Sequence, residues 1–446
     1  MGSTRRVVMR SVAAGAALTA GSVAAACGGT QSAQPTGQTK LAGKLEFYDW
    51  WLPTDSPLQD NWWKFVKQDF EAKNPGVTVE FQFISGTSGV RDKLKASAAA
   101  DTSPDASHAS VAFVRSMWDA GFLEELSPYV AKTPDMAMNK FLDQALFYNQ
   151  RNGKIYGIPV EGPDADAFFY NKNHFMEVGL DPSPAKTFTW TYDDLLSAAQ
   201  KLTKGSADQV QRRGLVPHGI STGNVPSWLY TNGASWYNKE QTQVTFNTPA
   251  GVQAVEYMLD LIKRFPTPPN FTGIDNSQQF YQQKTAIVPF GNYSVHSVRG
   301  FAPEVDFDMM PLPKGPQGKS PATKTWMNQV IMPKTSKHKD LGWLFMSYYA
   351  GKETIAKRMS LLNRMGPRKD FFDSQEFKDE SKKIPALVQA PKIAALGGAY
   401  PFIMYTEVDE VVGPILSKIG GGTLGVRDGL AQAEQEANRV LATMPK

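Results

Sequence analysis

Between residues 44 and 111 the apolar residues alternate between two periods, and this constrains the fold more than any other feature of the chain. Leu45 and Phe47 alternate with polar neighbours, as in a short strand. From Ser56, the residues Leu58, Trp62, Phe65, Val66 and Phe70 recur at spacings that place them on one face of a helix. Asn74-Pro75-Gly76 ends that helix, and Val77, Val79, Phe81 and Phe83 alternate again as a second strand. A helical stretch over residues 90–100 and a short strand over 106–111 complete the series. Strand, helix, strand, helix, strand is the order of an α/β unit, in which helices cover a parallel sheet.

The pattern restarts near Gly157. Phe168-Phe169-Tyr170 reads as a compact strand followed by a helix over 173–178. Thr191-Tyr192-Asp193-Asp194 ahead of Leu195, Leu196, Ala199 and Leu202 predicts a capped amphipathic helix. Further helices are expected over 251–265, 340–357 and 425–441. The Pro/Gly-rich stretch 311–321 reads as a linker or an edge turn, and a crossing between two lobes is expected there. The chain after residue 43 has about 400 residues, the length of two domains.

The first 43 residues read differently. Arg5-Arg6 and Arg10 precede a weakly apolar run without acids, the form of an export signal over residues 1–26. The paired arginines favour the twin-arginine route. Cys27, the only cysteine of 446 residues, follows Ala24-Ala25-Ala26 and has no internal disulfide partner. Residues 28–43 are small, polar and almost uncharged, a flexible tether. Loss of Arg5, Arg6 and Arg10 with the signal lowers the formal charge from +4 to +1. Nothing in that balance neutralises a nucleic-acid backbone.

Several pieces in fixed order resemble the family-1 extracellular solute-binding proteins of ABC sugar importers, the group that includes maltose-binding proteins. They are Phe47-Tyr48-Asp49-Trp50-Trp51, then Phe70 with Asn74-Pro75-Gly76-Val77, and Pro104-Asp105 before a strand. Gly121-Phe122-Leu123-Glu124-Glu125-Leu126 and Gly153-Lys154-Ile155-Tyr156-Gly157-Ile158-Pro159 with Phe169-Tyr170-Asn171-Lys172 follow. Thr189-Trp190-Thr191-Tyr192-Asp193-Asp194-Leu195, Pro311-Leu312-Pro313, Lys339-Asp340-Leu341-Gly342-Trp343-Leu344-Phe345 and Gly366-Pro367-Arg368 complete the order. The site at Cys27 is similar to a bacterial lipoprotein box, with Ala24 where Leu is usual. The resemblance implies a two-lobed α/β fold of the periplasmic-binding-protein kind (type II), with a ligand cleft between lobes joined by hinge strands. One lobe is expected over 44–160 plus about 311–355, the other over 161–310 plus about 356–446. It further implies a monomeric, exported protein, held on the outer face of the cytoplasmic membrane by lipid on Cys27. Such a protein delivers a carbohydrate to the membrane permease subunits of an ABC importer.

A sugar offers apolar C–H faces and a rim of hydroxyls, so aromatic planes and polar forks on strand-end loops are the informative residues. Trp50 and Trp51 lie just past the first strand. Core packing is open to either one, but harder for both. His108 and Ser110, at the exit of the third strand, resemble the family's second contact loop; a structural histidine is the alternative. Glu161 matches an inter-lobe position that contacts sugar in the family, and a lobe-to-lobe salt bridge is its alternative. By resemblance Trp228 is the stacking ring of the second lobe, with Tyr230 beside it and Trp236 as second choice. Tyr293 stands in a Gly-x-aromatic turn where many members have Trp. Trp326, Arg364, Tyr400 and Tyr405 complete the candidates. Trp62 and Trp63 are assigned to packing. Ten tryptophans and fifteen tyrosines allow an oligosaccharide. No cofactor or metal is called for: the five histidines are dispersed.

Two other functions stay open at this level. A glycosidase needs two poised carboxylates, and nothing singles out a pair among 43 acids, although Asp164 and Asp166 are neighbours. No Gly-x-Ser-x-Gly elbow is present. A sensor that docks on a receptor would use the same cleft.

Overall fold

The computed structural model describes residues 41–206, 209–397 and 405–444. The strands, in chain order, are β1 (Gly43–Asp49), β2 (Val77–Phe83), β3 (Ala106–Ala109), β4 (Gln150–Arg151), β5 (Lys154–Ile155), β6 (Ile158–Pro159) and β7 (Asp164–Asn171). They continue with β8 (Lys204–Ser206), β9 (Gln209–Leu215), β10 (Thr285–Gly291), β11 (Phe307–Met310), β12 (Thr325–Trp326) and β13 (Gln329–Ile331).

The first helix shows how sequence becomes packing. Ser56 caps it by accepting a hydrogen bond from the Gln59 amide at 3.2 Å, and Pro57 occupies the first turn, where no donor is lost. Its inward residues Trp62, Val66 and Phe70 are fully buried. Each contributes about 1.5–3 kcal/mol by leaving water. Trp62 and Trp63 both lie in the core, against Tyr349 and Phe47. The helix stops where the Asn74 side chain donates back to the Phe70 carbonyl at 2.8 Å.

The strands form two main sheets. The first has the order β2-β1-β3-β13-β6, with β1 parallel to β2 and β3, and β13 antiparallel to β3 and β6. The second has the order β11-β7-β10-β9-β8, with β12 alongside β7. β7 is buried at every position, so it runs through the centre of its lobe. The chain passes from the first sheet to the second between β6 and β7 and returns between β12 and β13. The two passages touch: Val160 N–H donates to the Asn328 carbonyl at 3.0 Å. Gly162, at φ +99°, leaves room for this approach. A Cβ there would stand 2.9 Å from the Trp326 carbonyl oxygen.

The return crossing differs from expectation. Residues 311–321 stay with the second lobe, where Lys314 bridges Thr191 and the Gly315 amide donates to the Thr231 carbonyl. The Asn232 side chain accepts from the Gln317 amide. The prolines and glycines therefore build a turn that caps the lobe, and the crossing falls at Met327-Asn328. The helix expected over 340–357 is also two helices, Lys339–Tyr349 and Lys352–Leu362. Gly351 breaks it by taking extended backbone as the cap of the second. That second helix packs on the helix Pro57–Lys73 of the first lobe, and Gln389–Leu396 then packs on β7 and β11 of the second. The final helices Thr406–Gly420 and Val426–Thr443 pair with each other, the last one also packing on Pro249–Arg264. Cys27, the export signal and the tether up to Lys40 lie outside the described residues, as does Tyr400.

Candidate functional site

The two passages bring a line of buried charges together between the sheets. Asp49 ends β1, and its carboxylate lies 3.0 Å from His108 Nδ1 on β3. The other ring nitrogen, His108 Nε2, faces Glu161 Oε1 at 3.6 Å. Glu161 Oε2 accepts from Arg364 at 2.7 Å and from the Asn328 amide at 2.9 Å. Arg364 also approaches Asp164, the first residue of β7, at 3.7 Å. Arg358 donates to the Val160 carbonyl, while its guanidinium covers the Tyr349 ring. All these side chains are buried.

Aromatic rings surround this line. Trp50 stacks on His108 with centroids 3.9 Å apart and planes 14° apart, and Trp51 meets the same ring edge-on at 5.6 Å. The Arg364 guanidinium lies 4.5 Å from the Trp51 ring and 5.3 Å from the Tyr293 ring. Tyr293 meets Trp326 at 5.9 Å, and Lys324 Nζ sits 4.4 Å over the Trp326 indole. Lys324 in turn pairs with Asp166 at 2.7 Å, and Ser227 Oγ donates to the same carboxylate at 2.6 Å. The Gly-x-aromatic turn has a steric basis: a Cβ at Gly291 would collide with the Tyr293 ring.

Burial and charge divide the three hinge acids. Burial raises Asp49, against the pull of His108. Burial also works to raise Glu161, but Arg364, His108, Arg358 and the Asn328 amide outweigh it and hold the carboxyl below its ordinary value. Burial pushes Asp164 up to about 7: its Arg364 contact is longer, and Glu161 repels its charge.

Of the sequence candidates, Trp50, Trp51, His108, Glu161, Tyr293, Trp326 and Arg364 meet here. Glu161 takes the lobe-to-lobe salt bridge of its two alternatives. Trp228 is placed elsewhere: its ring is fully enclosed by Phe168, His218, Tyr192 and Tyr257 and offers no free face. Its Nε1–H donates to His218 Nδ1 at 3.1 Å, an acceptor kept neutral because burial lowers His218 to about 4. The helix Val225–Thr231 instead contributes Ser227 to the Asp166–Lys324 pair. Tyr230 is buried in the same core, and Trp236 packs on Phe246. Ser110 starts the helix Val111–Asp119, its carbonyl accepting from the Phe113 and Val114 amides. Tyr405 meets Tyr237 edge-on and lines a separate cavity of about 690 Å³. First-lobe residues Arg115, Phe147 and Gln150 face second-lobe residues Gln241, Gln243 and Asn438 across it.

The sequence reading missed Asp49, Lys324, Asn328 and Arg358, and left Asp164 and Asp166 without a role. One signal was available. Arg358 falls three residues after Ile355 and four before Leu362, on the apolar face of its helix, where an arginine needs an internal partner. Among the described residues, no three His, Cys, Asp or Glu side chains are placed to hold a metal ion, and no helix is long and apolar enough to cross a membrane.

Two sheets, strands crossing between them and a polar, ring-lined hinge define a two-lobed binding protein. The profile of the bacterial extracellular solute-binding proteins matches residues 55–356, and the chain belongs to that family. A putative binding protein of Brucella abortus is 27% identical over 298 residues, 66% of this chain and 69% of its own. The arabinooligosaccharide-binding protein of Bacillus subtilis is 24% identical over 269 residues, 58% of each chain. An ABC transporter solute-binding protein of Thermotoga lettingae, solved with α-D-tagatose bound, shares the fold. Its TM-score is 0.75 at 21% identity, over 90% of this chain and 100% of its own. The type II two-lobed architecture is therefore that of this chain.

Proposed function

We propose that the chain is the carbohydrate-capturing component of an ABC importer, which closes its two lobes around a sugar and presents it to membrane permease subunits. The observation that carries this reading is the hinge, where rings from both lobes converge on one polar line. Trp50, Tyr293 and Trp326 are only partly buried and are the residues assigned to sugar stacking. At the hinge two guanidinium groups, Arg364 and Arg358, stand among three acids, Asp49, Glu161 and Asp164. That arrangement favours a neutral solute over an acidic one. The 690 Å³ cavity between the lobes, lined by amides, two aromatic rings and charges of both signs, lies within the usual size range of small-molecule sites and has room for an oligosaccharide. No catalytic step is assigned. The chain is proposed to act as a monomer, exported by the twin-arginine route and anchored by lipid on Cys27.

A panel of mono- and oligosaccharides, followed by melting temperature and tryptophan fluorescence, tests the reading. A saturable shift with one sugar class, the sugar being recovered intact, is expected. Cleaved sugar would replace the receptor with an enzyme. Silence across the panel would send the search to peptides and other solutes.

A further inference from the structure

The hinge holds more acid than its nearest cation can satisfy. Among the described residues, Arg364 is the one guanidinium or ammonium group within 4 Å of either Glu161 or Asp164, and the His108 ring lies beside Glu161. It gives its short contact, 2.7 Å, to Glu161 and stands 3.7 Å from Asp164. The groups that act on Asp164 come from every side. They are His108 from β3, Glu161 from the passage before β7, Arg364 from the segment after the helix Lys352–Leu362, and Tyr293 from the turn after β10. Asp166, two residues along β7, is already matched by Lys324 and Ser227. Arg358 spends its hydrogen bond on the Val160 carbonyl. Two carboxylates sharing one guanidinium out of water cannot both stay ionised without a large desolvation cost.

We propose that solute capture by this chain is proton-coupled: the lobes close with a proton on Asp164, and opening releases it. The enclosure of Asp164 depends on both lobes, because His108 belongs to the first and Tyr293 to the second. Parting the lobes returns the carboxyl to water, where it sheds its proton at its ordinary value of 3.8. Closed, the same group holds its proton up to about pH 7. Closure is therefore favoured as pH falls from 8 to 6. Linkage between those two states makes the closed form about tenfold more favoured at pH 6 than at pH 8. The gain ends in more acid solution, where Glu161 itself takes up a proton and its bond to Arg364 is lost.

The proposal rests on the solute-capture reading, and the test separates the two. The tightest sugar of the panel is titrated into the full-length chain by calorimetry at pH 6, 7 and 8, in two buffers of different ionisation enthalpy. Affinity about tenfold higher at pH 6 than at pH 8, with net proton uptake on binding, is expected. Both effects should vanish in Asp164→Asn. Equal affinities without proton exchange overturn the proposal and leave sugar capture standing. Should no sugar bind, small-angle scattering of the ligand-free chain decides. Compaction between pH 8 and pH 6 that Asp164→Asn lacks supports the coupling, and an unchanged radius overturns it. If Asp164→Asn does not fold, the wild-type proton count and scattering decide alone.

Discussion

Arg364 shows how much a single buried charge can organise. It joins Glu161, approaches Asp164 and lies against Trp51 and Tyr293, so it touches residues of both lobes and both acids of the first passage. Replacing it by methionine keeps much of its volume but strands Glu161 in the interior. We expect Arg364→Met to cost about 3–5 kcal/mol in urea unfolding, because an uncompensated buried charge is left behind. Adding Glu161→Gln should recover part of that loss, since the pair is coupled. The acids act in opposite directions on pH. Glu161 is held below its ordinary 4.5, so its stabilisation is present above that value and fades as pH falls through its lowered folded-state value. Asp164 is raised, so its contribution is full below 3.8 and is lost as pH climbs through about 7. On this cluster's account, thermal stability peaks in mildly acidic solution. A melting series from pH 4 to pH 8 checks this, and a flat profile would contradict both assignments.

At the scale of elements, local signals were the most legible. The Thr191 capping box forms as its spacing predicts: Asp194 N–H donates to Thr191 Oγ1, and the Asp194 carboxylate accepts from the Thr191 amide at 2.9 Å. Thr191→Ala should cost about 1 kcal/mol in chemical denaturation. A change within about 0.3 kcal/mol would show that the tertiary contacts of the helix, not its cap, fix its start. The alternations at Leu45–Phe47 and Val77–Phe83 likewise became strands, because period and burial agree there. Legibility failed where a residue's partner lies far along the chain. Composition leaves 311–321 open between a linker and an edge turn, and what decides it is that its amides bond to Thr231 and Asn232, some 85 residues earlier. Trp228 reads as a ligand ring by family resemblance, but the ring is enclosed by Phe168, Tyr192 and Tyr257. Those contacts exist only once β7 and two helices have assembled. Glu161 was legible by resemblance, but Asp49 and Asp164 were not, for the same reason: nothing local distinguishes either from the other acids of the chain.

At the scale of the molecule, two lobes joined by short passages meet again away from the hinge. Arg115 of the first lobe lies over the Tyr405 ring of the second at 5.9 Å, while its Nε–H donates to Asp119 at 3.0 Å. The ion pair lies within one helix, whereas the contact with Tyr405 spans the two lobes and would be lost on parting them. The Tyr405 ring is buried while the Arg115 side chain still meets water, and such a cation–ring contact is worth about 0.5–1 kcal/mol. Losing it should therefore speed solute release by about two- to fivefold, with association nearly unchanged. Stopped-flow fluorescence on Arg115→Ala, with the sugar identified by the panel, measures both rates. Arg115→Lys should fall between the two, because it keeps the charge but not the flat guanidinium. A slower association rate with unchanged release would place Arg115 in the first encounter with solute. The cavity beside it would then be an entrance, and the closed state would be held at the hinge by Arg364 and its acids alone.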